Sequence, residues 1–531
     1  MKKLFRNTSP EKISILGITI LYVIWSLIFI YRSSFIAIDG KRYFNLFDDA
    51  MVSMRYAWNF SHGSGLIWNA GQRVEGYSNL LMTLLMSLVT LLFNKRYAVL
   101  VIQLTGICFM LGTAFLTLTI FQTLRVSKTF WVSKYLLFIV ILLYYPLNYW
   151  SLLGMETGLL AFLLSAGVLC SLLYVEKQQT KYLWLMSLSF GLAYLTRNDS
   201  FLFAALAFLY STQVLKSGRR TIYVFLAAGL TYGLFVIGQT VFRYFYYGQI
   251  LPNTYTLKLV GMPLMERLKN GWGFIQLFLK ETSFILLFVA IGFFIKASKQ
   301  KLYLAGFFLI SVTYQVYIGG DPWLYWRIMA PSMPFIFILF TTAGDEILSN
   351  VPKVFPSFTH CVLLIILAFT GLYLTDSRFL REISFLDFPY TIPDLRLRVD
   401  RAIAINAVTE KNATIGVIWA GALPYYADRS AIDFLGKSDK HIANLPPDTS
   451  GSVSWYGMES VPGHNKYDLD YSIKELRPTY VERFHWGRQD LTAWAKDNYV
   501  RVRYRSVNLY LLKDSPDVHW SEVQITEAWN R

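Results

Sequence analysis

The sequence predicts a mostly α polytopic membrane protein followed by a soluble α/β domain, and three observations carry that fold class. Of 531 residues, 54% are hydrophobic and only 16% charged, with a mean hydropathy of +0.39, whereas a soluble globular chain holds nearer a quarter charged. Apolar runs long enough to cross ~30 Å of hydrocarbon recur up to about residue 375. Beyond it they give way to mixed sequence with strand-like alternation.

The first run, Ile13 to Tyr31, follows Lys2, Lys3 and Arg6 and lacks a small-residue cleavage site, so it reads as a retained signal anchor. Further spans are expected near 98–121, 134–150, 155–174, 181–196, 200–215, 221–242, 280–295, 302–318, 327–343 and 358–375. That gives about 11 transmembrane helices, with the N-terminus inside and the C-terminus outside. The run 79–93 is too short to cross and is expected to lie in the outer interface. Counting it as a span would put Arg125/Lys128/Lys134 and Lys216/Arg219/Arg220 outside, against the positive-inside rule.

With that choice these clusters, Lys2/Lys3/Arg6/Lys12, Lys177/Lys181 and Lys296/Lys299/Lys301 are all cytoplasmic. The formal charge of +16 therefore reports topology and gives no reason to expect a nucleic-acid partner. All three cysteines, Cys108, Cys170 and Cys361, sit in apolar runs, so no disulfide framework is implied. Two domains are expected: 1–375 in the membrane, with a first outer loop at 32–97, and 376–531 outside it. Strands are expected at Ala413–Trp419, Thr479–Phe484, Arg501–Tyr504 and Val507–Leu512, and an amphipathic helix at Leu395–Val408.

On this topology the polar motifs face outward. Asp48 and Asp49 follow the first span, where adjacent acids are costly unless they do chemistry or hold a partner. In a helix opening there, Asp48, Val52 and Arg55 share one face, and Asp49, Ser53 and Tyr56 form the neighbouring stripe. A base at one end and a phosphate ligand at the other suit a transfer reaction, although acids at a helix start also favour its positive end. The loop continues through Trp58–Asn69 and Gly71–Asn79, rich in glycine, aromatic and amide groups that suit sugars. His62 there reads as structural.

Arg243 and Lys258 flank Gly248-Gln249-Ile250-Leu251-Pro252-Asn253-Thr254-Tyr255. Arg327 follows a Gly319-Gly320-Asp321 turn, and its planar fork matches phosphate oxygens. Arg197 and Asp199 read as a helix-end salt bridge as readily as a site. In the tail, the glycines of Gly416–Tyr426 fit neither a dinucleotide fingerprint nor a P-loop, and His464 in Val461–Lys466 reads as structural. No Cys/His cluster indicates zinc. Two adjacent acids are also ligands for a divalent cation, but too few to specify one, so no cofactor is assigned.

Together, Asp48-Asp49-Ala50 through Arg55-Tyr56-Ala57, Gly63 to Asn69, and Val74-Glu75-Gly76-Tyr77-Ser78-Asn79 resemble the first-loop motifs of GT-C-type glycosyltransferases similar to the mycobacterial terminal arabinofuranosyltransferase family. Leu153-Gly154-Met155-Glu156-Thr157, Leu195–Asp199, Tyr246–Thr254 and Gly319–Arg327 are similar to later motifs of that group. Asn198 stands where relatives often have proline, and Pro322-Trp323-Leu324-Tyr325-Trp326 also departs from the pattern. The resemblance implies a GT-C fold and transfer, with inversion, of a pentose or hexose from a polyprenyl-phosphate donor to a hydroxyl of an envelope glycan or glycolipid. It implies a bacterial inner-membrane protein with its C-terminal domain outside, among membrane lipids.

By this resemblance Asp48 is the expected general base, with Asp49 as its partner or an acceptor ligand. Arg55, Arg243, Lys258 and Arg327 are expected at the lipid phosphate, and Glu75, Tyr77, Asn79, Glu156, Asn253 and Asp321 at the sugar or acceptor. A positioned carboxylate contributes roughly 10²–10⁴ in rate. A lipid-linked sugar flippase and a non-catalytic polysaccharide assembly protein are the rival classes; a flippase calls for ionisable residues within the spans.

Overall fold

The computed structural model describes residues 10–124, 131–323, 325–349, 357–389, 391–450, 461–484 and 490–526. Lys2, Lys3, Arg6, Arg125 and Lys128 of the basic clusters lie outside the described residues. The chain forms two compact units. One comprises Met1–Tyr31, Gln103–Gly238 and Leu268–Asp387; the other comprises Arg32–Ile102, Gln239–Arg267 and Phe388–Arg531.

Among the described residues, seven helices are long and apolar enough to cross a membrane: Glu11–Ser33, Lys95–Thr123, Thr157–Lys177, Thr221–Tyr247, Leu264–Ile295, Lys299–Ile318 and Phe358–Ile383. A bent pair, Val132–Leu143 and Tyr145–Leu152, turns by 49° and would make an eighth. The chain is a multi-pass membrane protein, but the expected count of about eleven is too high. The runs expected at 181–196, 200–215 and 327–343 form helices of 17, 11 and 17 residues. Their hydropathy reflects burial against neighbouring helices as much as passage through lipid. Pro146, in the first turn of Tyr145–Leu152, breaks the run expected at 134–150, because it lacks the N–H that would continue the helix.

The first unit is helical. Its largest fully buried side chains include Tyr144, Tyr145, Tyr149, Trp150 and Trp326, set among aliphatic side chains such as Leu137, Ile141, Leu147 and Leu164. Tyr149 and Tyr325 lie 4.2 Å apart by ring centroids.

The second unit joins the first outer loop to the C-terminal sequence. Two short antiparallel strands, β1 (Phe35–Ile36) and β2 (Arg42–Tyr43), precede the helix Asp48–Ser61, which packs on Leu80–Leu92. Leu80–Leu92, a short apolar helix of 13 residues, occupies the run expected to be too short to cross. The C-terminal sheet contains β3 (Thr414–Val417), β4 (Ser430–Asp433), β5 (Tyr480–Val481), β6 (Tyr499–Tyr504), β7 (Val507–Leu512) and β8 (Gln524–Ile525), in the order β4-β3-β5-β7-β6-β8. β3 runs parallel to β4 and β5, and the remaining pairs are antiparallel. The helix Ile392–Val408 falls where the amphipathic pattern placed it. β4 and β8 fall outside the expected strands.

Candidate functional site

The helix Asp48–Ser61 puts two acids in its first turn, where they favour the positive end of the helix dipole. Its two stripes then diverge. Asp48 is buried, and its carboxylate accepts the N–H groups of Gly421 (3.1 Å) and Ala422 (3.0 Å), with Arg398 Nη1 3.6 Å away. Burial raises its pKa, while Arg398 and the Ala422 N–H oppose that rise. A Cβ at position 421 would stand 2.0 Å from the Asp48 carbonyl oxygen, so this approach requires glycine.

At the other end of the stripe, Arg55 donates to the carbonyls of Trp68 (2.6 Å), Pro424 (2.6 Å) and Arg429 (2.8 Å) and to Asn69 Oδ1 (2.9 Å). Four of its five N–H donors are thus held by protein. In this structure Arg55, expected at the lipid phosphate, is a buried brace that ties the helix to residues 424–429.

The neighbouring stripe reaches solvent through Asp49. Its carboxylate lies 2.8 Å from Lys437 Nζ, and the two side chains are 29% and 25% exposed. Lys437 sits in the turn after β4. Asp433 shapes that turn by accepting the N–H groups of Leu435 (3.1 Å) and Ser438 (2.7 Å). Burial pushes the Asp433 carboxyl up to about 6, against those two hydrogen bonds. Asn253 Nδ2 donates to the carbonyls of Gly436 (2.9 Å) and Lys437 (3.0 Å), so this expected sugar ligand fixes the same turn.

Lys258 comes from the short helix Asn253–Leu259. Lys466 Nζ pins that segment by donating to the carbonyls of Thr256 (3.0 Å) and Val260 (2.9 Å). Gly463, at φ +84°, leaves room for Lys258, since a Cβ there would stand 3.2 Å from Lys258 Cε. His464 follows, electrostatically coupled to Asp49, Lys258 and Lys437; burial lowers it to about 4, so the ring is neutral. Asp49 and Lys437 thus form a partly exposed ion pair, and its charges, with that of Lys258, act on the neutral His464 imidazole, which makes the four one electrostatic cluster.

Only Asp49 and Lys258 of that cluster were expected from the sequence. The signal for Lys437 and His464 was weak, because each lies far along the chain in an ordinary polar loop. Glu75 and Arg243 form a buried pair, with Arg243 Nε 2.5 Å from Glu75 Oε2 and Nη2 3.2 Å from Oε1. Burial raises the Glu75 carboxyl, opposed by Arg243. Asn79 accepts from Ser53 (2.9 Å), and Tyr77 packs on Tyr56 at 5.0 Å. These residues hold the loop together. His62 stacks on Trp58 at 3.9 Å.

A second charged cluster lies within the first unit. Arg197 pairs with Asp199 (2.6 and 3.0 Å) and with Glu156 (3.0 Å). Arg327 donates to Asp321 (2.7 Å). Arg197, Asp199 and Arg327 line a small cleft with Thr157, Ser311 and Tyr314 and with the apolar side chains of Leu160, Leu202 and Phe203. Among the described residues, no three His, Cys, Asp or Glu side chains come together as metal ligands.

Residues 391–520 match a family described as a domain of unknown function, DUF8728. No curated protein matches the chain. Among solved structures, it is similar to ArnT from Cupriavidus metallidurans bound to undecaprenyl phosphate, at 12% identity and a TM-score of 0.57 over 94% of this chain and 99% of that one. It is also similar to the archaeal oligosaccharyltransferase AglB from Archaeoglobus fulgidus, in complex with an inhibitory peptide and a dolichol-phosphate. There the identity is 12% and the TM-score 0.54, over 96% of this chain and 75% of that one. Likeness at such identity is likeness of architecture, and the architecture is the GT-C membrane fold with a C-terminal sheet region.

Proposed function

We propose that this protein is a membrane glycosyltransferase that moves a pentose or hexose from a polyprenyl-phosphate donor to a hydroxyl of an envelope glycan or glycolipid. The observation that carries the reading is the partly exposed Asp49 carboxylate paired with Lys437 at 2.8 Å, in a chain with the GT-C fold, with Lys258 packed against the loop at Gly463. Asp49 takes the proton of the acceptor hydroxyl. The acceptor oxygen bonds to the anomeric carbon as the bond from that carbon to the lipid phosphate breaks on the opposite side, which inverts the centre. Lys258 and Lys437 offset the charge that gathers on the departing phosphate, an effect of several kcal/mol per well-placed donor, roughly 3.

Asp48 keeps the helix start in place, so the division of labour within the pair favours Asp49. Arg327 is a further candidate for the lipid phosphate, held by Asp321. Glu156 is a candidate sugar ligand, joined to Arg197. Both structural neighbours with lipid phosphates in their descriptions support such a donor here. A terminal arabinofuranosyltransferase-like activity in the bacterial inner membrane, with residues 376–531 as an extracytoplasmic domain, is the finer form of this reading.

The test is reconstitution of the purified chain in vesicles, with polyprenyl-phosphate pentose and hexose donors supplied on one face. The expected result is free polyprenyl phosphate together with a glycosylated product, both lost in Asp49→Asn. Donor that crosses the bilayer without product, or undiminished product from Asp49→Asn, overturns the reading. Mass spectrometry of envelope glycans from a strain lacking the protein would name the sugar and the acceptor.

A further inference from the structure

Trp326, next to Arg327, has a backbone φ of +54°, a left-handed conformation that costs a bulky side chain and persists only where the surroundings over-determine it. Its side chain is fully buried. The indole Nε1 donates to Glu281 Oε2 at 2.7 Å, and the ring meets Phe274 and Phe278, each at 5.2 Å. The Arg378 guanidinium lies over the Trp326 ring, 5.0 Å from its centroid, and 3.3 Å from Glu281. Glu281 belongs to Leu264–Ile295, an apolar helix of spanning length. An acid in such a helix is costly and marks a role.

The residues on either side are held as firmly. The Tyr325 carbonyl accepts from Trp150 Nε1 at 2.7 Å, and its hydroxyl donates to Glu382 at 2.6 Å. Arg327 is held by Asp321 and lies over Trp150 at 5.6 Å. A strained residue locked between two fixed neighbours sets the direction in which the next side chain leaves the backbone.

We propose that Glu281 and Trp326 form a positioning clamp, in which the carboxylate grips the indole so that the strained backbone directs the Arg327 guanidinium into its cleft to receive the phosphate of a lipid. Glu281 and Trp326 do not touch the phosphate; they act through Arg327. The ligand class rests on the functional reading above, whereas the clamp itself rests on the geometry of these residues.

The test uses the full chain in detergent, with undecaprenyl phosphate as the probe and native mass spectrometry as the readout of affinity. Glu281→Gln retains an acceptor for the indole N–H and should bind like the wild type. Glu281→Leu loses a charge-assisted hydrogen bond and should bind about tenfold more weakly in its folded fraction. Trp326→Phe, which keeps a ring without the N–H, should shift in the same direction by a smaller factor and serves if Glu281→Leu does not fold. A purely structural role would lower thermal stability in these variants and leave the affinity of the folded protein unchanged, which overturns the clamp. Phenylglyoxal labelling of Arg327, mapped by mass spectrometry without lipid, separates the two layers of inference. If the wild type binds no lipid phosphate, the functional reading falls, yet a labelling rate altered in Glu281→Leu and restored in Glu281→Gln upholds the clamp; an unaltered rate overturns it.

Discussion

In the proposed mechanism two adjacent aspartates divide structure from chemistry, because one helical step turns one inward and the other outward. Asp48 meets two backbone N–H groups and Arg398, whereas Asp49 meets Lys437 at a half-exposed edge. Asp49→Asn should therefore lower turnover by roughly 10²–10⁴ while thermal unfolding barely moves, measured by product formation from a polyprenyl-phosphate donor. Asp433 gives a pH prediction. Burial raises its folded value to about 6, against about 3.9 in an unfolded chain. Protonation therefore favours the folded state: this stability is present in full below about pH 4 and is lost as pH rises through about 6, up to about 3 kcal/mol in all. Unfolding followed from pH 4 to 8 should show that loss in the wild type. The difference between wild type and Asp433→Asn should carry the same pH dependence, and a flat difference would refute the assignment.

At the scale of elements, the candidate site depends on short segments held by side chains rather than on long helices. The turn that carries Lys437 is tied by Asn253 to the carbonyls of Gly436 and Lys437. Asn253→Ala leaves those acceptors without their donor, at a cost of about 1–3 kcal/mol. Donor KM should rise more than kcat falls, and equal changes in both would separate Asn253 from the Lys437 turn. Docking of the helix Asp48–Ser61 onto residues 421–429 depends on Gly421 in the same way. Gly421→Ala forces a methyl group against the Asp48 carbonyl and should destabilise the fold by about 1–3 kcal/mol or more, the range of overpacking, seen as a lower unfolding temperature.

For the whole molecule, the two compact units combine sequence in different ways. One is built from spanning helices, and the other gathers the first outer loop, residues 239–267 and the C-terminal region. A ligand that binds only the folded chain raises its stability by mass action, about 2.7 kcal/mol at a hundredfold excess over Kd. Undecaprenyl phosphate should accordingly raise the unfolding temperature in detergent, while a neutral polyprenol of the same length should not. An equal shift with both would mean that the chain recognises the isoprenoid tail and not the phosphate.

The sequence by itself determined the class of the molecule: apolar runs of spanning length, a tail in which β3, β5, β6, β7 and the helix Ile392–Val408 fall on predicted segments, and an acidic pair at the start of a helix. Those features are local, set by composition and by periods of two and 3.6 residues, and so they can be read along the chain. The number of spans was not, because 181–196 and 200–215 form helices of only 17 and 11 residues and 327–343 is apolar through burial in a helical core, and hydropathy does not distinguish protein neighbours from lipid. Tertiary structure alone decided the partners of the charged side chains. Arg55 and Arg243 resembled phosphate ligands until their partners, Pro424 and Arg429 for one and Glu75 for the other, were brought to them from distant sequence. Lys437 and His464 gained meaning only when the turn after β4 and the loop at Gly463 met Asp49. What a charge does depends on which opposite charge or carbonyl lies within about 3 Å, and that distance is set by the fold.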